Sequence, residues 1–307
     1  MSATPTFTAR LSTVAHEIEA TLSRLLSDEA RPGEIARPPR LMVAMRHAVL
    51  GGGKRLRPFL VAETARLLDG PQAGAIRAGA AVELLHGYSL VHDDLPSMDD
   101  DDLRRGRPTV HRAFDEATAI LAGDALQTLA FEVLADPETD PDPAVRADLV
   151  LGLARASGLG GMVGGQMLDL AAEGRYGTSA LDEAAIRQLQ VMKTGALLAF
   201  SVEAGALIGR AGPGGRRSLA AYGRALGAAF QIADDILDRE ASMEAMGKRT
   251  GKDLDKGKAT LVDRLGLDGA RAECRRLVDE ADAALAPFGA AADGLREAVR
   301  FTVERSM

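Results

Sequence analysis

The chain has 307 residues, 46% of them hydrophobic and 26% charged, enough for one sizeable core under a well-solvated surface. Its formal net charge of −7 argues against nucleic acid as the main partner, because a phosphate-backbone binder carries a basic surplus. A lone Cys274 allows no internal disulfide and suits a reducing, cytoplasmic setting.

Met1 to Arg10 has neither the basic start nor the apolar core of a signal peptide. From there on the period is helical, with few alternating runs of β-branched and aromatic residues, which predicts an all-α fold. Residues 1–35 are expected as a peripheral N-terminal helix of one unit spanning 1–307. Pro38-Pro39 opens a predicted helix through Met42, Met45 and Val49 that stops at Gly51-Gly52-Gly53. A long apolar helix follows from about Ala73 to Asp94. Others are expected near 113–134, 144–157, 181–209, 216–239, 270–286 and 293–305. The turn-rich run from Asp136 to Pro143 and Gly212-Pro213-Gly214-Gly215 break the pattern without marking a domain boundary. The most apolar stretch, Gly195 to Ile208, is too short to span a bilayer and carries Glu203, so no stable membrane insertion is expected.

Two carboxylate clusters stand out in these apolar helices: Asp93-Asp94-Leu95-Pro96-Ser97-Met98-Asp99 and Asp234-Asp235-Ile236-Leu237-Asp238. Converging in one cavity, they would repel one another unless divalent cations lay between them. Gln231, Asp234 and Asp238 fall on one helix face. Asp93 and Asp99 do not, since six residues diverge by about 240° on an ideal helix. Pro96 resolves the conflict by ending or bending the helix, so that Asp99 can fold back toward Asp93. Oxygen-only ligands point to magnesium or manganese rather than zinc, and the run from Asp93 lacks the glycine and glutamate of a calcium-binding EF-hand loop.

Basic residues escort both clusters: Lys54, Arg55 and Arg57 after the glycine triplet, Arg104 and Arg105 after the first, Lys193, then Lys248 and Lys258 after the second. Taken singly, an acidic run is what a solvated turn carries, a glycine triplet is a helix stop, and His86 or His92 on an apolar helix is a core residue. Their joint occurrence is hard to obtain from a structural requirement alone. The chain has only six lysines among 37 basic residues (Lys54, Lys193, Lys248, Lys252, Lys256 and Lys258), all in or beside these segments. Lysine supplies a compact point charge where arginine supplies a planar fork. Carboxylates, metals and fixed cations together describe a receptacle for phosphorylated ligands.

At these residues the sequence resembles the trans-isoprenyl diphosphate synthases. The likeness is carried by Gly51 to Pro58, His86, Asp93 to Asp99 with Arg104-Arg105-Gly106-Arg107-Pro108-Thr109, Gly165-Gln166, Lys193-Thr194, Phe230-Gln231, Asp234 to Asp238, Gly247-Lys248 and Gly257-Lys258. It implies helices around a deep central cavity, normally in a homodimer. It implies three magnesium ions held by Asp93, Asp94 and Asp99 on one wall and by Asp234 and Asp238 on the other. By the same resemblance Arg104, Lys193, Thr194, Gln231, Lys248 and Lys258 would serve an allylic diphosphate, and Lys54, Arg57, His86 and Arg105 would hold isopentenyl diphosphate. The implied activity is condensation of the two with loss of diphosphate.

Product length is expected to depend on Tyr88 and Ser89, five and four residues before Asp93. In the family an aromatic there, with the four-residue spacer of the first cluster, resembles the bacterial farnesyl type. Tyr88 as an ordinary core aromatic is the competing reading. A geranylgeranyl synthase shares every metal and diphosphate motif; a terpene cyclase would carry a different second cluster; a regulatory subunit would have lost part of one.

Overall fold

Among the described residues five helices begin where a side chain takes up an unpaired amide of the first turn. Thr6 caps α1 (Phe7–Leu25), accepting from the Ala9 amide at 3.3 Å. Asp115 caps α6 (Glu116–Ala135) through the Thr118 amide at 2.7 Å, and Asp142 caps α7 (Pro143–Ser157) through Ala144 at 2.9 Å. Pro38-Pro39 opens α2 (Pro39–Val49), as the sequence predicts.

This computed structural model describes residues 6–177, 181–248 and 260–303, with only the backbone course for 241–248. The remaining helices are α3 (Leu56–Leu67), α4 (Gln72–Asp93), α5 (Val110–Ala113), α8 (Met162–Ala172), α9 (Glu183–Gln190), α10 (Ala196–Ile208), α11 (Pro213–Lys248), α12 (Leu261–Ala284) and α13 (Asp293–Val303). A π-helical turn, Val191–Gly195, joins α9 to α10, and a 3-10 segment, Ala286–Ala292, precedes α13. Among the described residues the only strands are β1 (Leu103–Arg104) and β2 (Arg107–Pro108), an antiparallel pair in which Leu103 faces Pro108. The fold is all-α.

Packing runs from α6 to α4, then α3, α10, α11 and α12. One apolar cluster gathers α2, α4, α6 and α7; a second gathers α9, α11, α12 and α13; α1, α3 and α10 contribute to both. Burial of this apolar surface is the main favourable term holding the helices together. The sequence expectation names no helix at α3 or α8, and it is short by nine residues at each of two other places. α11 runs on past 239 to Lys248, and α12 starts at Leu261, where Thr260 and Asp263 form a capping box, and is kinked at Gly266 (φ 70°). Two helical runs, Glu116–Ala135 and Glu183–Ile208, are long and apolar enough by composition to cross a membrane. The second exceeds the expected 14 apolar residues because the π turn makes α9 and α10 continuous. Both pack against other helices.

Candidate active site

The first acidic cluster sits where α4 stops. Pro96 lacks an amide and the chain turns back, so that the Asp99 amide donates to the Asp93 carbonyl at 2.9 Å and the Asp101 amide to the Asp94 carbonyl at 3.2 Å. Burial pushes the Asp93 carboxyl up to about 6, against the opposing pull of Lys193 and with repulsion from Asp99 adding to the rise. Asp99 is exposed. Asp94 is not: it is 3% exposed, and Arg104 places Nε at 2.8 Å and Nη2 at 2.6 Å from its Oδ1. The expected metal ligand Asp94 and the expected diphosphate ligand Arg104 are therefore engaged with each other, because ten residues of hairpin bring the guanidinium back over the end of α4.

That hairpin turns on Arg105 and Gly106, both with positive φ (53° and 74°). It delivers Arg105 Nη1 to the Gly52 carbonyl at 2.9 Å and Arg107 Nη1 to the Leu50 carbonyl at 3.0 Å. The glycine triplet is a physical requirement here. Its φ values run from 100° to 132°, and a Cβ on Gly53 or Gly51 would come within 2.6 Å of Arg105 or 2.5 Å of Arg107.

The three basic residues after the triplet separate by role. Lys54 is exposed, with Nζ 5.8 Å from the centre of the Phe301 ring. Arg55, counted above among the ligand cations, is 5% exposed and internally committed. It donates to Glu83 at 2.5 Å, to Glu19 at 2.7 Å and to the Val49 carbonyl at 2.6 Å, tying α1 and α4 to the end of α2. Arg57 lines the cavity, with a buried Nε that has no protein partner and a guanidinium whose proton affinity burial lowers against Glu83 and Asp234. His86 faces the same cations. Burial and then the charges of Arg57, Arg105 and Arg104 hold its pKa well below the ordinary histidine value, so the ring is neutral near pH 7.

Lys193 lies within the π turn, a local widening that re-aims a side chain. Its Nζ is 2.5 Å from Asp169 Oδ2 on α8. α8 can come this close because residue 165 is glycine: a Cβ there would stand 2.3 Å from the Lys193 amide nitrogen. The second acidic cluster divides as the first does. Asp234 is half-buried and Asp238 exposed, while Asp235 is 9% exposed and receives Gln231 Nε2 at 2.9 Å and Gln190 Nε2 at 2.7 Å. Burial pushes Asp235 up to about 6 despite both amides, with Asp238 and Asp234 adding to the rise. Gln231 is thus turned to Asp235, not grouped with Asp234 and Asp238 as its spacing suggests.

Two cavities meet between these elements. One, of about 610 Å³, is mainly apolar, walled by Tyr88, Met98, Ile120, Leu170 and Leu197, with Asp93, Lys193 and Ser89 also in its lining. The other, of about 670 Å³, is more polar than the first and holds Lys54, Arg104, Arg105, Glu83 and Asp234, with Phe301. Arg57, His86, Leu90 and Thr194 line both. Among the described residues no three His, Cys, Asp or Glu side chains stand together as a ready-made metal cage. The two acidic clusters face adjoining lobes rather than one closed pocket.

A family model described as polyprenyl synthetase matches residues 38–284. The chain belongs to the polyprenyl synthetase family. It is 50% identical over 244 residues to the farnesyl diphosphate synthase of Escherichia coli, covering 77% of this chain and 79% of that one. Identity to the farnesyl diphosphate synthase of Geobacillus stearothermophilus is 45% over 256 residues, covering 83% and 82%. The apo crystal structure of an FPP/GFPP synthase from Zymomonas mobilis superposes with a TM-score of 0.86 at 47% identity, covering 97% of this chain and 98% of that one.

Within this polyprenyl synthetase fold, Lys54, Arg57, His86, Arg105, Thr194 and Asp234 line the polar lobe, and Tyr88, Ser89, Asp93 and Lys193 the apolar one. The side chain of Lys248, and Lys258 altogether, lie outside the described residues. Sequence reasoning missed Asp169, Glu83 and Gln190, the partners that fix Lys193, Arg55 and Asp235. Each is a single polar residue in a helix, with no local pattern to mark it. Gln166 Nε2, quoted above only as part of a motif, is buried without a protein partner in the apolar lobe.

Proposed function

We propose that the chain condenses isopentenyl diphosphate with an allylic diphosphate, dimethylallyl or geranyl, to give farnesyl diphosphate. The observation that carries this is the pair of joined cavities: an apolar sleeve lined by Asp93 and Lys193, adjoining a lobe with five cations for two carboxylates, Asp234 and the Arg55-paired Glu83. One lobe suits a hydrocarbon tail ending in diphosphate, the other a short diphosphate.

The donor set fits magnesium. Asp93, Asp99, Asp234 and Asp238 offer oxygen ligands, and a carboxyl held near 6 by burial is one that lacks sufficient positive charge nearby. Bound magnesium supplies electrostatic stabilisation of the departing diphosphate. Asp94 and Asp235, each capped by its own partners, position their neighbours. Lys193, anchored by Asp169, and Thr194 address the allylic diphosphate. Lys54, Arg57 and Arg105 hold isopentenyl diphosphate, and neutral His86 offers it a hydrogen bond without a further charge. The allylic carbon–oxygen bond breaks with its electron pair leaving on diphosphate. Met98, Leu170 and Leu197 keep water from the resulting cation. The isopentenyl alkene forms the new carbon–carbon bond, and the proton lost to restore a double bond passes to the released diphosphate.

Purified protein with labelled isopentenyl diphosphate and dimethylallyl diphosphate tests this, with magnesium or with chelator and products sized by carbon number. Metal-dependent release of diphosphate with a fifteen-carbon product is expected; twenty carbons would make it a geranylgeranyl synthase, and no condensation would refute the proposal. Association as a homodimer is supported by Leu121, Leu151 and Val163, apolar and exposed on α6, α7 and α8. A monomer by light scattering would count against it.

A further inference from the structure

The apolar cavity has a wall held by a histidine that the reaction above does not use. His92 follows Tyr88 by one turn on α4, and the two rings meet edge to face, 5.5 Å between centroids at 88°. On its other side His92 Nε2 lies 3.1 Å from the Ile120 carbonyl oxygen of α6. A carbonyl can only accept, so Nε2 is the donor. Asp124 Oδ1, at 3.9 Å, is beyond hydrogen-bond reach. The imidazole has this seat because residue 123 is glycine: a Cβ there would come within 2.1 Å of Nε2 and 2.4 Å of Cδ2. Tyr88, His92 and Ile120 all line the apolar cavity.

We propose that His92, seated against Gly123, is a specificity-determining positioning residue that braces the Tyr88 ring and so sets how far a growing hydrocarbon can descend. The inference rests on the reading that this cavity takes the prenyl tail. An aromatic side chain on a helix has more than one staggered χ1 well open to it. The edge contact to His92, itself fixed to α6 by a hydrogen bond, selects one of them. The depth of the cavity thus depends on the α4–α6 contact as well as on Tyr88.

Two substitutions move the wall in opposite directions. His92→Ala removes the brace and opens space beside Tyr88, so the ratio of products longer than fifteen carbons to farnesyl diphosphate rises on the order of tenfold, the discrimination that small changes in apolar pocket size command. Gly123→Ala drives the imidazole off α6 and into the cavity, and the ratio shifts toward ten carbons. Each is measured on purified full-length protein with isopentenyl and dimethylallyl diphosphates, products sized by reversed-phase chromatography and folding checked by circular dichroism. A merely structural role would lower the melting temperature and total rate and leave the ratio alone. If one variant fails to fold, the other decides. A wild-type product distribution from either folded, active variant overturns the inference while leaving the proposed activity standing; absence of any prenyl product from the wild type overturns both.

Discussion

Gly165→Ala asks whether catalysis depends on the close approach of α8 to the π turn. The added Cβ would sit 2.3 Å from the Lys193 nitrogen, 2.6 Å from its Cα and 2.8 Å from the Met192 carbonyl carbon, whereas ordinary contact begins near 3.4 Å. All three are backbone atoms, so no rotamer change relieves the clash and the two elements must separate by roughly 1.1 Å. Misplacing a reacting group by about 1 Å costs on the order of 10²-fold in rate. Overpacking at a helix contact costs about 1–3 kcal/mol, or several degrees in melting temperature. The expected result is therefore asymmetric: kcat in a steady-state diphosphate-release assay falls roughly a hundredfold, while the protein stays folded by calorimetry. A kcat within twofold of wild type would show that the position of Lys193 is not set here.

Four other perturbations follow from the fold and the site. Arg55→Met strands the buried Glu83 carboxylate and should cost about 3–5 kcal/mol in chemical denaturation. Lys54→Met, at an exposed site, should change stability by less than about 0.5 kcal/mol yet raise KM for isopentenyl diphosphate; the reverse pattern would exchange the two roles. Tyr88→Ala should lengthen the product, and an unchanged distribution would reduce Tyr88 to a core aromatic. Asp140 provides the pH test. Burial works against its ionisation, but Arg210, the Asp142 amide and Arg146 prevail and hold its carboxyl below the usual range. With the folded value below the unfolded one of about 3.9, the ionised group stabilises the fold above that pH and the contribution is lost as pH falls through the folded value. Melting curves between about pH 6 and about pH 3 should show a shallower acid limb in Asp140→Asn; an identical slope would contradict the assignment.

The sequence carried α2 and the end of α4, where prolines and glycines mark the ends, but not the start of α12, despite its capping box. Pro38-Pro39 and the glycine triplet bracket α2 to within a residue or two, and Pro96 foretold the return of Asp99 to Asp93. It was silent where function depends on contacts distant along the chain. Arg55 and Arg57 are alike in sequence, and only the fold puts Glu19 and Glu83 around the first and leaves the second a buried donor without a protein partner. Asp93 and Asp94 are adjacent carboxylates, yet one lines a cavity and the other is covered by a hairpin of two-residue strands, too short to leave an alternating pattern. The π turn at Lys193 was read as plain helix because one extra residue barely disturbs an apolar run.

Arg57, His86, Leu90 and Thr194 form a shared partition between the two lobes. On the proposed reading both reactants lean on this partition, so it cannot be tuned for one of them alone. Affinities for isopentenyl diphosphate and for the allylic diphosphate should drift together under substitution there, so independent adjustment of either is confined to the outer walls, at Lys54 on one side and Tyr88 on the other.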